Sequence, residues 1–148
     1  MAAGHPDLVF ATLVEARLLV SCQSKFNPSD PEWDRWLEAA WTLERRVGSM
    51  RLLVATEGGH PTKPQLERLR AANKSNPPTA IVSASLALRF LGSALTFVNP
   101  TIRCFSPADL EDALGHLGVG PIEGKQVIVT LDRLRQQLTR PLTVQESP

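Results

Sequence analysis

Three short apolar runs, each followed by a segment with helical spacing, constrain the fold of this chain most. The runs are MRLLVA at residues 50–55, TAIVSA at 79–84 and TIRCF at 101–105. MRLLVA has no alternation of apolar and polar residues, which is typical of a central strand covered by helices on both faces. Strands that alternate with amphipathic helices predict an α/β fold, in which a single layer of mixed, mainly parallel β-sheet is flanked by helices.

The segment before these runs is predicted to extend the sheet. Residues 8–23, LVFATLVEARLLVSCQ, are rich in Val, Leu, Thr and Phe, and a polar break interrupts them at residues 15–17. This composition predicts either a β-hairpin or one long bent strand.

Helix start and stop signals separate the predicted strands. Asp30 is the predicted N-cap of the first helix, and Gly48 follows its predicted end. Thr62, with Gln65 three residues later, predicts a capping box at the start of the second helix. Ser85 is the predicted cap of a third helix. The predicted apolar stripe of that third helix comprises Ala87, Phe90, Leu91, Ala94, Leu95 and Val98.

The sequence after Pro121 predicts an additional amphipathic helix. We therefore divide the chain into an α/β domain at residues 1–120 and a C-terminal helix with a loose tail at residues 121–148. The apolar stripe of this helix comprises Val127, Leu131, Leu134 and Leu138. Such a stripe packs either on its own domain or against a second copy in a homodimer, and we favour its own domain because most such stripes are core.

Charge and composition exclude several classes of protein. The chain has 148 residues and a formal net charge of +1, which is too small to attract nucleic acid or an anionic membrane. Cys22 and Cys104 lie in apolar runs, as reduced core thiols do, and the segment MAAGHPDLVF lacks the features of an export signal. No apolar run is long enough to cross a membrane. We expect a soluble, cytoplasmic protein that binds neither nucleic acid nor membrane.

Three segments give the chain a resemblance to a known superfamily. RLLVATEGGHPTKPQLERLRAA, at residues 51–72, is similar to a central strand, loop and helix in succession. AIVSASLALRFLGSAL, at residues 80–95, is similar to a strand followed by a Ser-initiated helix with a glycine in its middle. IRCFSPADLEDALGHLG, at residues 102–118, is similar to a closing strand with an amphipathic helix. In this pattern residues 8–117 resemble the STAS superfamily, the anti-sigma-factor-antagonist-like domains.

The resemblance implies a small sheet flanked by helices that acts by binding another protein. It also implies that phosphorylation of a Ser or Thr at the start of the helix after the central strand often switches this binding. Typical members end that strand with Asp and open the helix with adjacent Ser residues, whereas TEGGHPT stands there in this chain, at residues 56–62. The positional match makes Thr62 the first phosphoacceptor candidate and Thr56 the second.

Thr62 has two interpretations. A phosphate on its hydroxyl would lie against unpaired backbone N–H groups and the positive end of the helix dipole, which is a favourable place for an anion. The commoner role of such a residue is to cap its helix, with Gln65 completing the box.

The candidate binding loop comprises Glu57, Gly58, Gly59 and His60. Backbone N–H groups at the two glycines could hold a phosphate or carboxylate, although turn geometry explains a glycine pair more simply. The Glu and His side chains could act as an acid/base couple, since histidine titrates near neutral pH, but solvated loop residues are the commoner case.

Three functions remain open from the sequence. We favour a non-enzymatic, STAS-like protein-interaction module in intracellular signalling that uses the loop at residues 56–62 to bind another protein. One alternative is a small-molecule or nucleotide-binding domain that uses this loop as an anion site. Another is a structural protein that assembles through its C-terminal helix.

The sequence also suggests side chains for partner contact. Trp36 lies on a shoulder of the first helix's apolar stripe, where we expect it to be exposed. The remaining partner-contact candidates are Leu131, Leu134 and Leu138. Enzyme activity is the least favoured class, because no nucleophile, metal-ligand set or pair of carboxylates converges, and we expect no cofactor or metal.

Overall fold

A computed structural model of the protein describes residues 5–72, 76–86, 88 and 99–139. The strands are β1 (Leu8–Leu13), β2 (Leu18–Gln23), β3 (Arg51–Thr56), β4 (Thr79–Val82) and β5 (Ile102–Phe105). The helices are α1 (Asp30–Val47), α2 (Lys63–Ala72), α3 (Leu110–His116) and α4 (Pro121–Thr139), and a 3-10 turn at Pro107–Asp109 leads into α3. The α/β class predicted from the sequence is therefore confirmed.

The described strands form one sheet in their chain order, β1-β2-β3-β4-β5. β1 and β2 pair antiparallel, so residues 8–23 form a hairpin and not one bent strand. All later neighbours are parallel, and β3 and β4 lie side by side with Leu53 opposite Ala80. The sheet is thus mixed and mainly parallel, as the sequence predicts.

Helices cover both faces of this sheet. α1 and α2 lie on one face, where Leu19 of β2 and Leu52 of β3 pack beneath the apolar side of α1. α3 and α4 lie on the other face, above Val20 and Leu53. The stripe of α4 is buried in this second core, so the C-terminal helix packs on its own chain. The buried stripe comprises Val127, Leu131, Leu134 and Leu138.

The structure corrects the predicted position of Trp36. Its side chain is only 3% exposed and lies in the core between α1 and the sheet. The indole Nε1 donates a hydrogen bond to Ser21 Oγ at 2.7 Å, and the ring stacks on Trp33 with centroids 4.8 Å apart. A side chain buried in this way cannot anchor a partner, and the same holds for the α4 stripe.

Local hydrogen bonds define the helix starts. The N-cap of α1 is Ser29 and not Asp30, because Ser29 Oγ accepts the amide of Glu32 while the Glu32 carboxylate accepts the amide of Ser29. Thr62 and Gln65 form the predicted capping box of α2, with distances of 2.9 and 3.3 Å. Gly48, at φ 77°, ends α1 as predicted.

The predicted third helix falls largely outside the described residues. Ser85 Oγ accepts the amide of Leu88 at 3.2 Å, as expected of a helix cap. All six residues of its predicted stripe lie outside the described part of the chain, namely Ala87, Phe90, Leu91, Ala94, Leu95 and Val98.

Candidate functional site

The candidate site lies at the edge of the sheet where the parallel strands β2 to β5 have their carboxyl ends. Open α/β sheets place their binding sites at this edge. β3 ends at Thr56, and the loop at residues 57–62, the edge loop, connects it to α2. The edge loop packs against residues 24–27, which follow β2. Two loops from neighbouring strands therefore form one surface.

The backbone N–H groups of the edge loop are bonded within the protein. The donors are Glu57 to Gln23 O (3.1 Å), Gly58 to Thr56 Oγ1 (3.1 Å), Gly59 to Ser24 O (2.8 Å), His60 to Asn27 Oδ1 (3.2 Å) and Thr62 to Gln65 Oε1 (2.9 Å). Pro61 has no N–H to offer. A phosphate cradle needs N–H groups that point at the ligand, and these five already have acceptors.

The two glycines have separate structural roles in this packing. Gly58 has φ 138°, a backbone conformation that other residues rarely adopt. A Cβ on Gly59 would lie 2.0 Å from the backbone oxygen of Phe26, so any side chain there would clash with the neighbouring loop. Turn geometry and close approach therefore explain the glycine pair.

The two candidate phosphoacceptors differ in environment. Thr56 is 7% exposed, and its hydroxyl donates to Gly59 O at 2.6 Å while accepting the amide of Gly58. Modification of Thr56 would require this turn to open. Thr62 is half-buried, and its Oγ1 accepts the amide of Gln65, so it caps α2. Thr62 is the more accessible of the two.

Glu57 and His60 do not form the considered acid/base couple in this structure. Glu57 is exposed, whereas the Nδ1 of His60 lies 2.9 Å from the carbonyl oxygen of Pro61. An ion pair joins Arg68 on α2 to Asp34 on α1.

Cys22, on the opposite face of β2 from α1, is a buried thiol near the same edge. Burial raises the pKa of Cys22 to about 11; the nearby Arg135 lowers this pKa and Glu57 raises it further. The thiol is therefore protonated at neutral pH, and the thiol form is a poor nucleophile. Across the described ranges, no three His, Cys, Asp or Glu side chains group closely enough to hold a metal ion.

Sequence reasoning missed the most exposed aromatic side chain of this surface. Phe26 is 60% exposed, and Lys25 Nζ lies 5.5 Å above its ring. Leu86, which is 68% exposed, follows the carboxyl end of the neighbouring strand β4. A signal for Phe26 was present, because it stands in the polar segment SKFNPSD and belongs to no apolar stripe.

No protein-family model, curated protein or solved structure matches this chain. The resemblance to the STAS superfamily therefore stays a prediction that depends on the three segments quoted above. Within the described part of the chain, no helix combines the length and apolar character that a bilayer span requires.

Proposed function

We propose that this chain is a non-enzymatic, STAS-like protein-interaction module of intracellular signalling, and that it binds another protein with the carboxyl edge of its sheet. The observation that carries the proposal is Phe26, an aromatic side chain 60% exposed on a loop that packs against the edge loop. Buried aromatic anchors contribute much of the binding energy of protein interfaces.

The loops on which Phe26 stands support this role. Gly59 donates to Ser24 O, His60 donates to Asn27 Oδ1, and Ser24 Oγ accepts the amide of Phe26 at 3.0 Å. These bonds hold the two loops in one arrangement before a partner arrives. A preorganised surface loses less conformational entropy on binding than a flexible one.

Exposed charged side chains of both signs lie on the loop of Phe26, on the edge loop and at the start of α2. Lys25, Glu57 and Lys63 are all exposed. Such a mixed rim favours discrimination between partners through charge complementarity, and it does not favour one class of strongly charged ligand. A protein partner suits this surface better than nucleic acid.

The alternative of a nucleotide or other anion site has less support at this loop. Its N–H groups are bonded to protein acceptors, so an anion would have to displace those bonds. For a switch of partner binding by phosphorylation of this chain, we propose Thr62 as the modified residue. Thr56 is buried, and its hydroxyl donates a hydrogen bond to Gly59 O.

We also propose a cytoplasmic location. Cys22 is a buried, free thiol, which is the usual state of a cysteine in a reducing compartment.

Affinity capture with matched surface variants tests the proposal. Wild-type protein and Phe26→Ala are used as baits, and bound proteins are identified by mass spectrometry and then titrated in purified form. We expect Phe26→Ala to weaken the complex by about thirtyfold or more, since truncation of an interface anchor costs about 2 kcal/mol or more. Glu57→Lys, on the same surface, should also weaken it.

The control is Ile122→Ala, which removes an exposed apolar side chain at the start of α4. Thermal unfolding must be unchanged in all three variants. Wild-type affinity in both Phe26→Ala and Glu57→Lys would contradict the proposed surface. Substitution of Gly59 cannot serve here, because the clash with Phe26 O would disturb the fold itself.

A further inference from the structure

The outward face of α4 carries a second exposed apolar surface. Ile122 is 86% exposed, Val129 is 69% exposed and Ile128 is 49% exposed. Val129 lies opposite the buried stripe that packs on the sheet, since 100° per residue puts it about half a turn from Leu131 and Leu134. Ile128 lies on the flank of that stripe, about 60° around the helix from Leu131. α4 is therefore apolar on two sides.

Two opposite charges flank this surface symmetrically. Lys125 precedes Ile128 by three residues, and Asp132 follows Val129 by three residues. Both side chains are exposed, and helical spacing puts both on the outward side of α4 with Ile128 and Val129 between them. We call the four residues Lys125, Ile128, Val129 and Asp132 the outer patch.

The outer patch is complementary to a second outer patch that runs in the opposite direction. An antiparallel copy of α4, related by a two-fold axis that passes between Ile128 and Val129, would set Ile128 of one copy against Val129 of the other. The same axis would set Lys125 of each copy against Asp132 of the other. Self-complementarity of one patch is the property that a two-fold interface requires.

We propose that the outer patch binds the outer patch of a second copy of this chain, through antiparallel pairing of the two α4 helices. Charge complementarity favours this occupant, because a reversed copy of the patch sets Asp132 against Lys125 and Lys125 against Asp132. A single pair of helices buries less surface than a standard interface, so the dimer forms reversibly and depends on concentration. The outer patch does not include Phe26, so the two proposals depend on different residues.

Sedimentation velocity of the full chain over a concentration series tests the proposal through charge exchange. Wild-type protein is expected to shift from monomer to dimer as its concentration rises. Lys125→Asp and Asp132→Lys each replace two attractive contacts by two repulsive ones, and each should raise the dimer Kd by about tenfold or more. The double variant K125D/D132K restores both attractive contacts and should return the Kd to near the wild-type value.

A mixture of the two single variants gives the sharpest test. K125D presents only acidic side chains at these positions and D132K only basic ones, so each alone is expected to be monomeric while the mixture forms heterodimers. The control pair is Glu38→Lys with Arg45→Asp, exposed charges on α1, whose mixture should stay monomeric. Val129→Glu, which puts a charge at the centre of the patch, should abolish the dimer.

Two results would overturn the proposal. One is a wild-type chain that stays monomeric at every concentration reached. The other is a dimer that tolerates Lys125→Asp or Val129→Glu, or that fails to recover in K125D/D132K although the variant unfolds at the wild-type temperature.

Discussion

α1 and α4 are the two longest described helices, and they cover opposite faces of the same sheet. Both bury one apolar side. Their outward sides differ, because α1 exposes charged residues and no large apolar side chain, whereas α4 exposes aliphatic side chains among its charged ones. The charged set on α1 is Arg35, Glu38, Arg45 and Arg46, and the aliphatic set on α4 is Ile122, Ile128 and Val129.

The difference separates two uses of a helix. A helix that only covers a sheet needs a polar outward side, because charged residues keep that side in contact with water. The outward side of α1 has this character. The outward side of α4 holds more apolar surface than coverage of the sheet requires. Exposed apolar clusters in folded proteins often mark sites of association.

Replacement of Trp36 should have the largest effect on the α1 side. Trp36→Ala removes a buried ring and the bond to Ser21 Oγ, and we expect the free energy of unfolding to fall by about 3–5 kcal/mol. Urea unfolding monitored by circular dichroism measures the loss. Trp36→Phe keeps an aromatic ring beside Trp33 and should lose less. A loss below about 1 kcal/mol in Trp36→Ala would contradict its place in the core.

The inner side of α4 should respond to truncation almost as strongly. Leu134 is 1% exposed, so Leu134→Ala is expected to lower the free energy of unfolding by about 3 kcal/mol. The same urea experiment on Ile128→Ala, on the outward side, provides the control and should give a much smaller change. Equal effects in the two variants would mean that α4 is not packed on the sheet as described.

Glu32, at the start of α1, is expected to make a smaller, pH-dependent contribution to the free energy of unfolding. Burial disfavours the charged form of Glu32, but hydrogen bonds from Ser29, Asp7 and Leu8 outweigh burial, so the pKa of Glu32 lies below its ordinary value of 4.5. A lowered pKa in the folded state stabilises the fold above pH 4.5, and this stabilisation is lost as the pH falls through the lowered pKa.

We expect Glu32→Gln to lose about 1–3 kcal/mol at pH 7, since it weakens bonds to a charged acceptor. The difference from the wild type should shrink in acid, which unfolding curves over a pH series can measure. Glu38→Gln, on the exposed side of α1, should change little at any pH. A difference that grows in acid would contradict the lowered pKa.

The smallest effect on stability is expected on the outward side of α4. Val129→Ser should change the free energy of unfolding of the monomer by about 0.5 kcal/mol or less, because its side chain is 69% exposed. Unfolding at dilute concentration, where the monomer predominates, gives this value. A loss of several kcal/mol there would indicate that another part of the same chain covers Val129.

Local signals in the sequence predicted most of the fold. The parallel neighbours β3 and β4 and the box of Thr62 with Gln65 follow from short runs and fixed spacings. For residues 8–23 the sequence left a hairpin and one bent strand open, and the antiparallel pairing of β1 with β2 decides for the hairpin. The prediction of Asp30 as the cap of α1 was wrong, but the sequence contained the correct signal. Ser29 precedes Glu32 by the three residues that a capping box requires. Asp30 instead accepts a bond from Gln65 Nε2 on the neighbouring helix.

The candidate site was harder to predict because its contacts join distant parts of the chain. The acceptors of the edge loop's N–H groups include Gln23, Ser24 and Asn27, about thirty residues before the loop, so the sequence gives no sign that those donors are engaged. Trp36 was misplaced for a related reason. Helical spacing gives its angle around α1 but not how deeply α1 sits over Ser21 of β2.

The packing of α4 on β1 and β2 links the last described helix to the first two strands. During synthesis the hairpin leaves the ribosome well before the helix that shields one of its sides, because this helix follows every other described element in the chain. Closing such a long loop is a slow step in folding. The chain therefore reaches its native structure only when these two distant segments meet. Until then, the face of the hairpin that α4 covers stays exposed to solvent.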